Sequence, residues 1–232
     1  MLELCLDTSA NTTVALLEDG RVLARANHES TRHHAEQITP LVREALGTAG
    51  LSPVLAEAGV ERVCVGTGPA PFTGLRAGLV SARVMARAAG APVHGAASLD
   101  VIARQGLDRL PPETHVFAIA DARRRELYWG HYIAEGPDDV RLVGRLEVGD
   151  VHSLVAAMRG AESPLIVAAG PLPAHSQDAL EAMEIGPLTP LDPAVLSRIV
   201  SARLARGESE RLGTEPQYLR RPDIHGQPSQ RL

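Results

Sequence analysis

Hydrophobic positions along the chain alternate between two rhythms. Short apolar runs of strand length stand at residues 2–6, 12–17 and 22–26, with the turn Glu18-Asp19-Gly20 between the last two. An Asp-Gly pair between two apolar runs supplies the positive φ of a tight hairpin. From 32 to 49 the period changes: Ile38, Val42, Ala45, Leu46 and Ala49 recur at helical spacing, and Gly50 suits the end of that helix. A strand at 61–65, a helix at 74–89 stopped by Gly90, a short strand at 91–94 and a helix at 98–104 capped by Ser98 complete the first half.

Pro111 and Pro112 mark a boundary, and the pattern then restarts. Strands are expected at 115–120, 127–133 and 141–148, a helix at 150–159, a strand at 164–168 and a helix at 193–206. The strand at 115–120 runs into Asp121 as the strand at 2–6 runs into Asp7. The order β-β-β-α-β-α therefore appears once in full and again in reduced form, and parallel strands joined by helices make the chain α/β. Two such lobes facing a cleft are the plan of the actin, Hsp70 and sugar-kinase superfamily. The expected division is a first lobe at 1–108, a smaller second lobe at 109–206, and a polar, arginine-rich tail at 207–232 with few core residues.

Composition narrows the chemistry. The 232 residues are 44% hydrophobic and 22% charged, ordinary for a globular protein with one or two cores. No apolar stretch approaches the roughly 18 residues of a membrane span, and the apolar run at 2–6 is short for a secretion signal, so no membrane role and a cytoplasmic location are expected. Cys5 and Cys64 both sit in apolar strand-like runs and read as buried, reduced thiols. The net charge of −5 gives no overall attraction to nucleic acid. Every one of the 23 basic residues is arginine, which removes a P-loop lysine, a kinase-type lysine and a Schiff-base lysine.

The most informative segment is Gly66-Thr67-Gly68-Pro69-Ala70-Pro71-Phe72-Thr73-Gly74-Leu75-Arg76-Ala77-Gly78, between a strand and a helix. Pro71 stands where a dinucleotide fingerprint needs its third glycine, and no Gly-Lys follows for a P-loop. On spacing alone the segment is a stiff structural connection that delivers a helix N-terminus, a place able to hold an anion. It resembles the signature G-x-G-P-G-S-F-T-G-L-R-I-G of the TsaB family, matching at Gly66, Gly68, Pro69, Phe72, Thr73, Gly74, Leu75, Arg76 and Gly78 and departing from it at Ala70, Pro71 and Ala77. Leu4-x-Leu6-Asp7-Thr8-Ser9, His34-Ala35-Glu36-Gln37-Ile38-Thr39-Pro40, Asp121-Ala122-Arg123-Arg124-Arg125-Glu126-Leu127-Tyr128 and Gln217-Tyr218-Leu219-Arg220 are similar to that family too, in order and over nearly the whole chain.

The resemblance implies the two-lobed actin-like fold. It also implies a scaffold or dimerization role in forming N6-threonylcarbamoyladenosine at position 37 of tRNA, beside the catalytic paralogue TsaD and the ATPase TsaE. A homodimer is expected when the chain is alone, with tRNA contact through the complex. The paralogue carries two metal-binding histidines spaced by four, and the matching positions here are Ser98 and Ile102. Isoleucine cannot ligate a metal, so no metal, no cofactor and no catalysis are expected. Asp7, Thr8, Ser9, Gly66, Gly68 and Asp121 then form a vestigial phosphate or nucleotide cleft. By its residues alone, Asp7 reads as the cap of its own turn through Thr8 and Ser9. Adjacent His33 and His34 point about 100° apart on a helix and do not chelate as an i, i+4 pair would. Arg123, Arg124 and Arg125 read as a solvated turn or a partner salt bridge, with Arg220, Arg221 and Arg231 as weaker candidates for tRNA or a partner.

The helix at 74–89 sets Arg76, Arg83 and Arg87 on one stripe and leaves an apolar arc of roughly 220°, about twice what a one-sided surface helix needs. Leu75, Gly78, Leu79, Ala82 and Ala86, with Ile38 and Val42 of the preceding helix, are the expected partner interface. The competing view is a helix buried on both sides within its own lobe by the helix at 32–49. Two other functions compete with the scaffold: an active actin-fold ATP-dependent phosphotransferase, and a metalloprotease, for which ligands are lacking.

Overall fold

The computed structural model describes residues 1–28 and 34–220. The expectations placed on Arg32, His33, Arg221 and Arg231, and on the side chain of His34, lie outside the described residues. The first half folds as β1 (Leu2–Asp7), β2 (Thr12–Glu18), β3 (Arg21–His28), α1 (His34–Thr48), β4 (Arg62–Gly66), α2 (Phe72–Ala89), β5 (Val93–Ala96) and α3 (Ser98–Leu107). The second half folds as β6 (Val116–Asp121), β7 (Leu127–Glu135), β8 (Asp139–Leu142), β9 (Glu147–Gly149), α4 (Val151–Met158), β10 (Leu165–Ala168), α5 (Gln177–Glu181), β11 (Ile185–Leu188) and α6 (Ala194–Ala205). No described helix is long and apolar enough to cross a membrane.

Local chemistry explains several boundaries. Asp19 and Gly20 take φ of 49° and 76°, the hairpin geometry their sequence predicts. Gly90 closes α2 at φ 67°, and Asp150 caps α4 by accepting from the Ser153 N–H. Ser98 does not cap α3: the N-cap is Ala97, and the serine hydroxyl is used elsewhere. The single strand expected at 141–148 is broken in two by a turn in which Gly144 takes φ 86°.

The two sheets share one plan. The first runs β3-β2-β1-β4-β5 and the second β8-β7-β6-β10-β11, with β9 paired to β7. In each, the first three strands are antiparallel and the last two join the central strand in parallel. Both halves therefore carry a complete β-β-β-α-β-α-β-α; the second is reduced in element length and not in order. Its missing pieces in the sequence reading were α5 and β11, five and four residues long.

The last helix of each half crosses over. α3 follows the first sheet but packs on β6, β7, β8 and β10, while α6 follows the second sheet but packs on β1, β2, β4 and β5. The two helices form a shared middle layer, and one core runs from Cys5, Ala15 and Cys64 through Leu99, Leu196 and Ile199 to Val116 and Tyr132. Separate outer cores lie under α1 and α2 on the first sheet and under α4 and α5 on the second. An ionic cluster pins the middle layer: Arg203 donates to Asp100 and Asp139 at 2.8 and 2.9 Å, and the Tyr132 hydroxyl donates to Asp100 at 2.9 Å. Burial pushes the Asp100 carboxyl up, and the Arg203 guanidinium opposes that shift. Residues 207–220 are not a loose tail: Leu212 is buried, and the chain beyond it runs back over the first lobe.

Candidate functional site

The turn after β1 presents Asp7, Thr8 and Ser9 at the space between the lobes. Two hollows flank it. One, of about 590 Å³, is lined by Asp7, Asn11, Thr13, Arg25, Gly170 and Asp192 among others. The other, of about 620 Å³, includes Thr8, Ser9, Phe72, Thr73, Asp121 and Arg123 in its lining. Four of the six expected cleft residues, Asp7, Thr8, Ser9 and Asp121, therefore line the space between the lobes. Gly66 and Gly68 stand behind Asp7, not in the lining.

Asp7 is built in as a brace. It is buried, and its Oδ1 accepts from the Ser9 N–H at 2.7 Å and the Ser9 hydroxyl at 2.5 Å. Its Oδ2 accepts from the Ser98 hydroxyl at 2.6 Å, and Ser98 Oγ in turn accepts from the Gly68 N–H at 3.2 Å. A Cβ on Gly66 would lie 1.7 Å from Asp7 Oδ2, so only glycine lets the carboxylate occupy this place. Gly78 is required in the same way, since a Cβ there would meet Thr8 Oγ1 at 2.2 Å. That hydroxyl donates to the Gly74 carbonyl at 2.9 Å and ties the β1–β2 turn to the start of α2. Gly66 and Gly78 of the signature segment thus serve close packing around Asp7 and Thr8. Ser98 is the residue whose role the sequence did not disclose; no local pattern links it to an acid 91 positions away.

Asp121, at the same place in the second sheet, accepts from the Arg123 N–H at 2.7 Å and pairs with its guanidinium at 3.4 Å, near the surface. Arg123, Arg124 and Arg125 are exposed, and all three take left-handed backbone conformations with φ of 62°, 53° and 63°. Non-glycine residues there are strained, and three in a row is uncommon.

The expected partner-interface residues are placed differently from the sequence reading. Leu75, Gly78, Leu79, Ala82 and Ala86 are all buried in the first lobe's own core, and so are Ile38 and Val42. The reason is the competing view weighed above: α1 packs against α2 and covers the surplus apolar arc. What α2 leaves exposed is Thr73, Val80, Val84, Ala88 and the stripe Arg76, Arg83 and Arg87, with Val80 and Val84 58% and 62% accessible. Part of that stripe is covered from the C-terminal side: Arg83 donates to the Thr214 hydroxyl and carbonyl and to Glu215. Gln217 pairs with Thr67 through both its backbone N–H and its side chain.

Two groupings of potential metal ligands occur among the described residues. In one, Cys5 and Cys64 lie side by side on β1 and β4 with Glu3, whose carboxylate is held by Arg62 at 2.7 and 3.0 Å. Its partner Cys64 and burial together push the Cys5 thiol well up, which suits an unreactive buried thiol. In the other, Glu135, Asp139 and Glu208 already serve Arg206. Ser98 and Ile102 are both buried in the protein's own packing.

Comparison with known proteins places this geometry. The family model described as TsaD: tRNA N6-adenosine threonylcarbamoyltransferase matches residues 22–165, more than half of the chain. The tRNA threonylcarbamoyladenosine biosynthesis protein TsaB of Escherichia coli is 37% identical over 130 residues, covering 56% of this chain and 54% of that protein. The structure of YeaZ from Pseudomonas aeruginosa superposes with a TM-score of 0.72 at 29% identity, covering 94% of this chain and 99% of that one. The chain belongs to the TsaB/YeaZ family. A relative from Mycobacterium tuberculosis is 34% identical over 223 residues, 95% of this chain and 92% of its own length. The two-lobed plan expected from the strand order is the fold that YeaZ shares. In this family setting, the signature segment 66–78, the Asp121 hairpin and the 217–220 segment meet at one end of the space between the lobes.

Proposed function

We propose that this chain is the non-catalytic, partner-binding subunit of the system that forms N6-threonylcarbamoyladenosine at position 37 of tRNA, supporting TsaD together with TsaE. The observation that carries the reading is the state of Asp7. A carboxylate meant to hold a metal–phosphate or to orient a nucleophile needs open coordination sites; here Ser9 and Ser98 bind both oxygens and Gly66 backs them. The same closed carboxylate argues against the phosphotransferase alternative, which needs an acid open to a metal–phosphate or a nucleophile. The exposed strip of α2, with Val80 and Val84 between arginines, is the surface we assign to TsaD, or to a second copy when the chain is alone. Location in the cytoplasm follows from the proposed substrate.

The test is reconstitution of threonylcarbamoyl transfer to tRNA from purified components, leaving out one protein at a time. Transfer should disappear without this chain, and the isolated chain should transfer nothing. Undiminished transfer in its absence overturns the reading.

A further inference from the structure

Three segments far apart in sequence converge at the mouth between the lobes. Phe72 at the start of α2 stacks on Tyr218 with ring centroids 4.9 Å apart, and the Arg76 guanidinium lies 3.6 Å over Phe72. Arg76 Nε donates to the Tyr218 hydroxyl at 2.7 Å. Arg220 then crosses to the second lobe, donating to the Ala122 carbonyl at 3.2 Å and pairing with Glu126. A hollow of about 140 Å³ remains between them, lined by Arg123, Arg124, Arg220, Phe72, Tyr128 and Tyr218, and none of its described lining residues is acidic. Burial, and secondarily Asp121, pushes the Tyr128 phenol up, which keeps it a hydrogen-bond donor.

The charge here opposes that of the whole chain. The three segments hold five arginines (76, 123, 124, 125 and 220) against Asp121 and Glu126, a local +3 on a protein of net −5. The β6–β7 hairpin carries left-handed backbone at three successive exposed arginines, in a turn closed by bonds from the Ala122 N–H to the Glu126 carbonyl and from the Glu126 N–H to the Arg123 carbonyl. Arg123 and Arg124 line the hollow beside Arg220 while Arg125 is exposed next to them, an arrangement that can meet successive groups along a chain. An acidic protein surface would gain little from exposed pairs of this kind, whereas each phosphate neutralised on a nucleic acid releases condensed counterions and the gains accumulate.

We propose that this hairpin and the hollow beside it bind the sugar-phosphate backbone of RNA, Arg123, Arg124 and Arg125 contacting phosphates and Arg220 and Tyr218 positioning the hairpin. That the RNA is tRNA rests on the function proposed above. The experiment measures binding of a fluorescently labelled anticodon stem-loop RNA to the full chain by anisotropy, from about 50 to 200 mM salt. About three contacts predict a slope of log K against log salt of roughly −2 to −3. Arg124→Gly with Arg125→Gly removes two charges while suiting the positive φ, and a thermal melt run beside the titration shows that the variant is folded. The slope should flatten by about 1.5, with roughly a tenfold loss of affinity at low salt. An unchanged slope in the double variant, no binding by the parent chain, or stronger capture of an acidic peptide than of RNA overturns the proposal. These readouts use the chain alone, so they fail or succeed independently of the reconstitution of transfer.

Discussion

The two lobes end their central strands in the same way and use the result oppositely. β1 ends in Asp7 and β6 in Asp121, at equivalent places in sheets of the same strand order. Asp7 is buried and braced by Ser9 and Ser98, with a glycine forced behind it; Asp121 is near the surface and holds the first residue of a strained arginine hairpin. The difference follows from what each turn must join. The first is fastened to α2 through Thr8 and to α3 through Ser98, so its acid became internal structure. The second faces no helix of comparable length, because its counterpart of α2 is the five-residue α5, and its acid stayed at the mouth between the lobes. Equivalent places in two sheets of one plan thus carry acids that packing treats differently, one buried and one near the surface.

The largest expected effect tests how completely the first lobe is closed. Ala86 is buried on α2, while Ala88, two residues on, is exposed. Ala86→Glu places a carboxylate in the outer core with no partner, a cost of roughly 4 kcal/mol or more from the three-unit pKa shift such burial imposes. Ala88→Glu should melt within about 0.5 kcal/mol of the parent, as surface substitutions do. Thermal unfolding of the two variants checks this, and a folded, parent-like Ala86→Glu would mean that α2 is not seated as described.

Next in size is the middle layer that the lobes share. Arg203→Met leaves Asp100 without its cation and Asp139 with Arg206 alone, and breaking such a buried pair from one side costs about 3–5 kcal/mol. With its cation gone, Asp100 is raised further by burial. The sign follows: a carboxyl whose folded pKa lies above its unfolded value favours folding when protonated, so the variant should regain stability as pH falls. Denaturant melts of parent and variant at neutral and mildly acid pH would show the gap narrowing; a gap that widens in acid refutes the account.

The comparison of the two acids sharpens at a smaller scale. Gly66→Ala puts a methyl group where Asp7 Oδ2 stands, and forced overpacking of this kind costs about 1–3 kcal/mol. Asp7→Ala strands the Ser98 hydroxyl and the Ser9 N–H and should cost about 2 kcal/mol. Asp121→Ala should cost under about 1 kcal/mol, because its partner Arg123 is exposed. Equal losses at Asp7 and Asp121, measured by urea unfolding, would mean that the two turns are not specialised as the structure shows.

Much of the fold was legible because its signals are local. Asp-Gly in the first hairpin, Gly90 after α2 and the strand-end aspartates carry their conformations in one or two residues. α5 and β11 were not legible, since five and four residues give too few turns of either period to count. The burial of α2 could not be apportioned from sequence: a wide apolar arc states that two surfaces cover the helix and not which ones, and α1 proved to be the second. The Asp7–Ser98 bond and the strap of Gln217 and Tyr218 over α2 were hidden for another reason: each is set by the meeting of segments 91 to 150 positions apart. Resemblance had singled out those segments, and only their convergence gave them a physical role.

The smallest effect concerns the exit of α6, where the second lobe's edge is tied to the chain that returns to the first. Glu208 accepts from Arg206 at 3.0 Å and from Arg211 at 2.6 Å, and both arginines also reach Glu135 on β7. The hydrogen bond from Arg206, then Arg211, holds the Glu208 carboxyl at about 2 against an ordinary 4.5. A carboxylate depressed in the folded state contributes stability above its unfolded pKa and loses it as pH falls through the folded one, so the contribution fades between about 4.5 and about 2. Because the group is exposed, the gain is a modest, salt-sensitive one. Carboxyl NMR titration should find Glu208 among the last glutamates to protonate, and Arg206→Ala should return it toward 4.5. If Glu208 titrates normally in the parent protein, the cluster is not formed in solution, and the anchoring of the returning chain must rest on Leu212, the Gln217–Thr67 pairing and the contacts of Thr214, Glu215 and Tyr218 with α2.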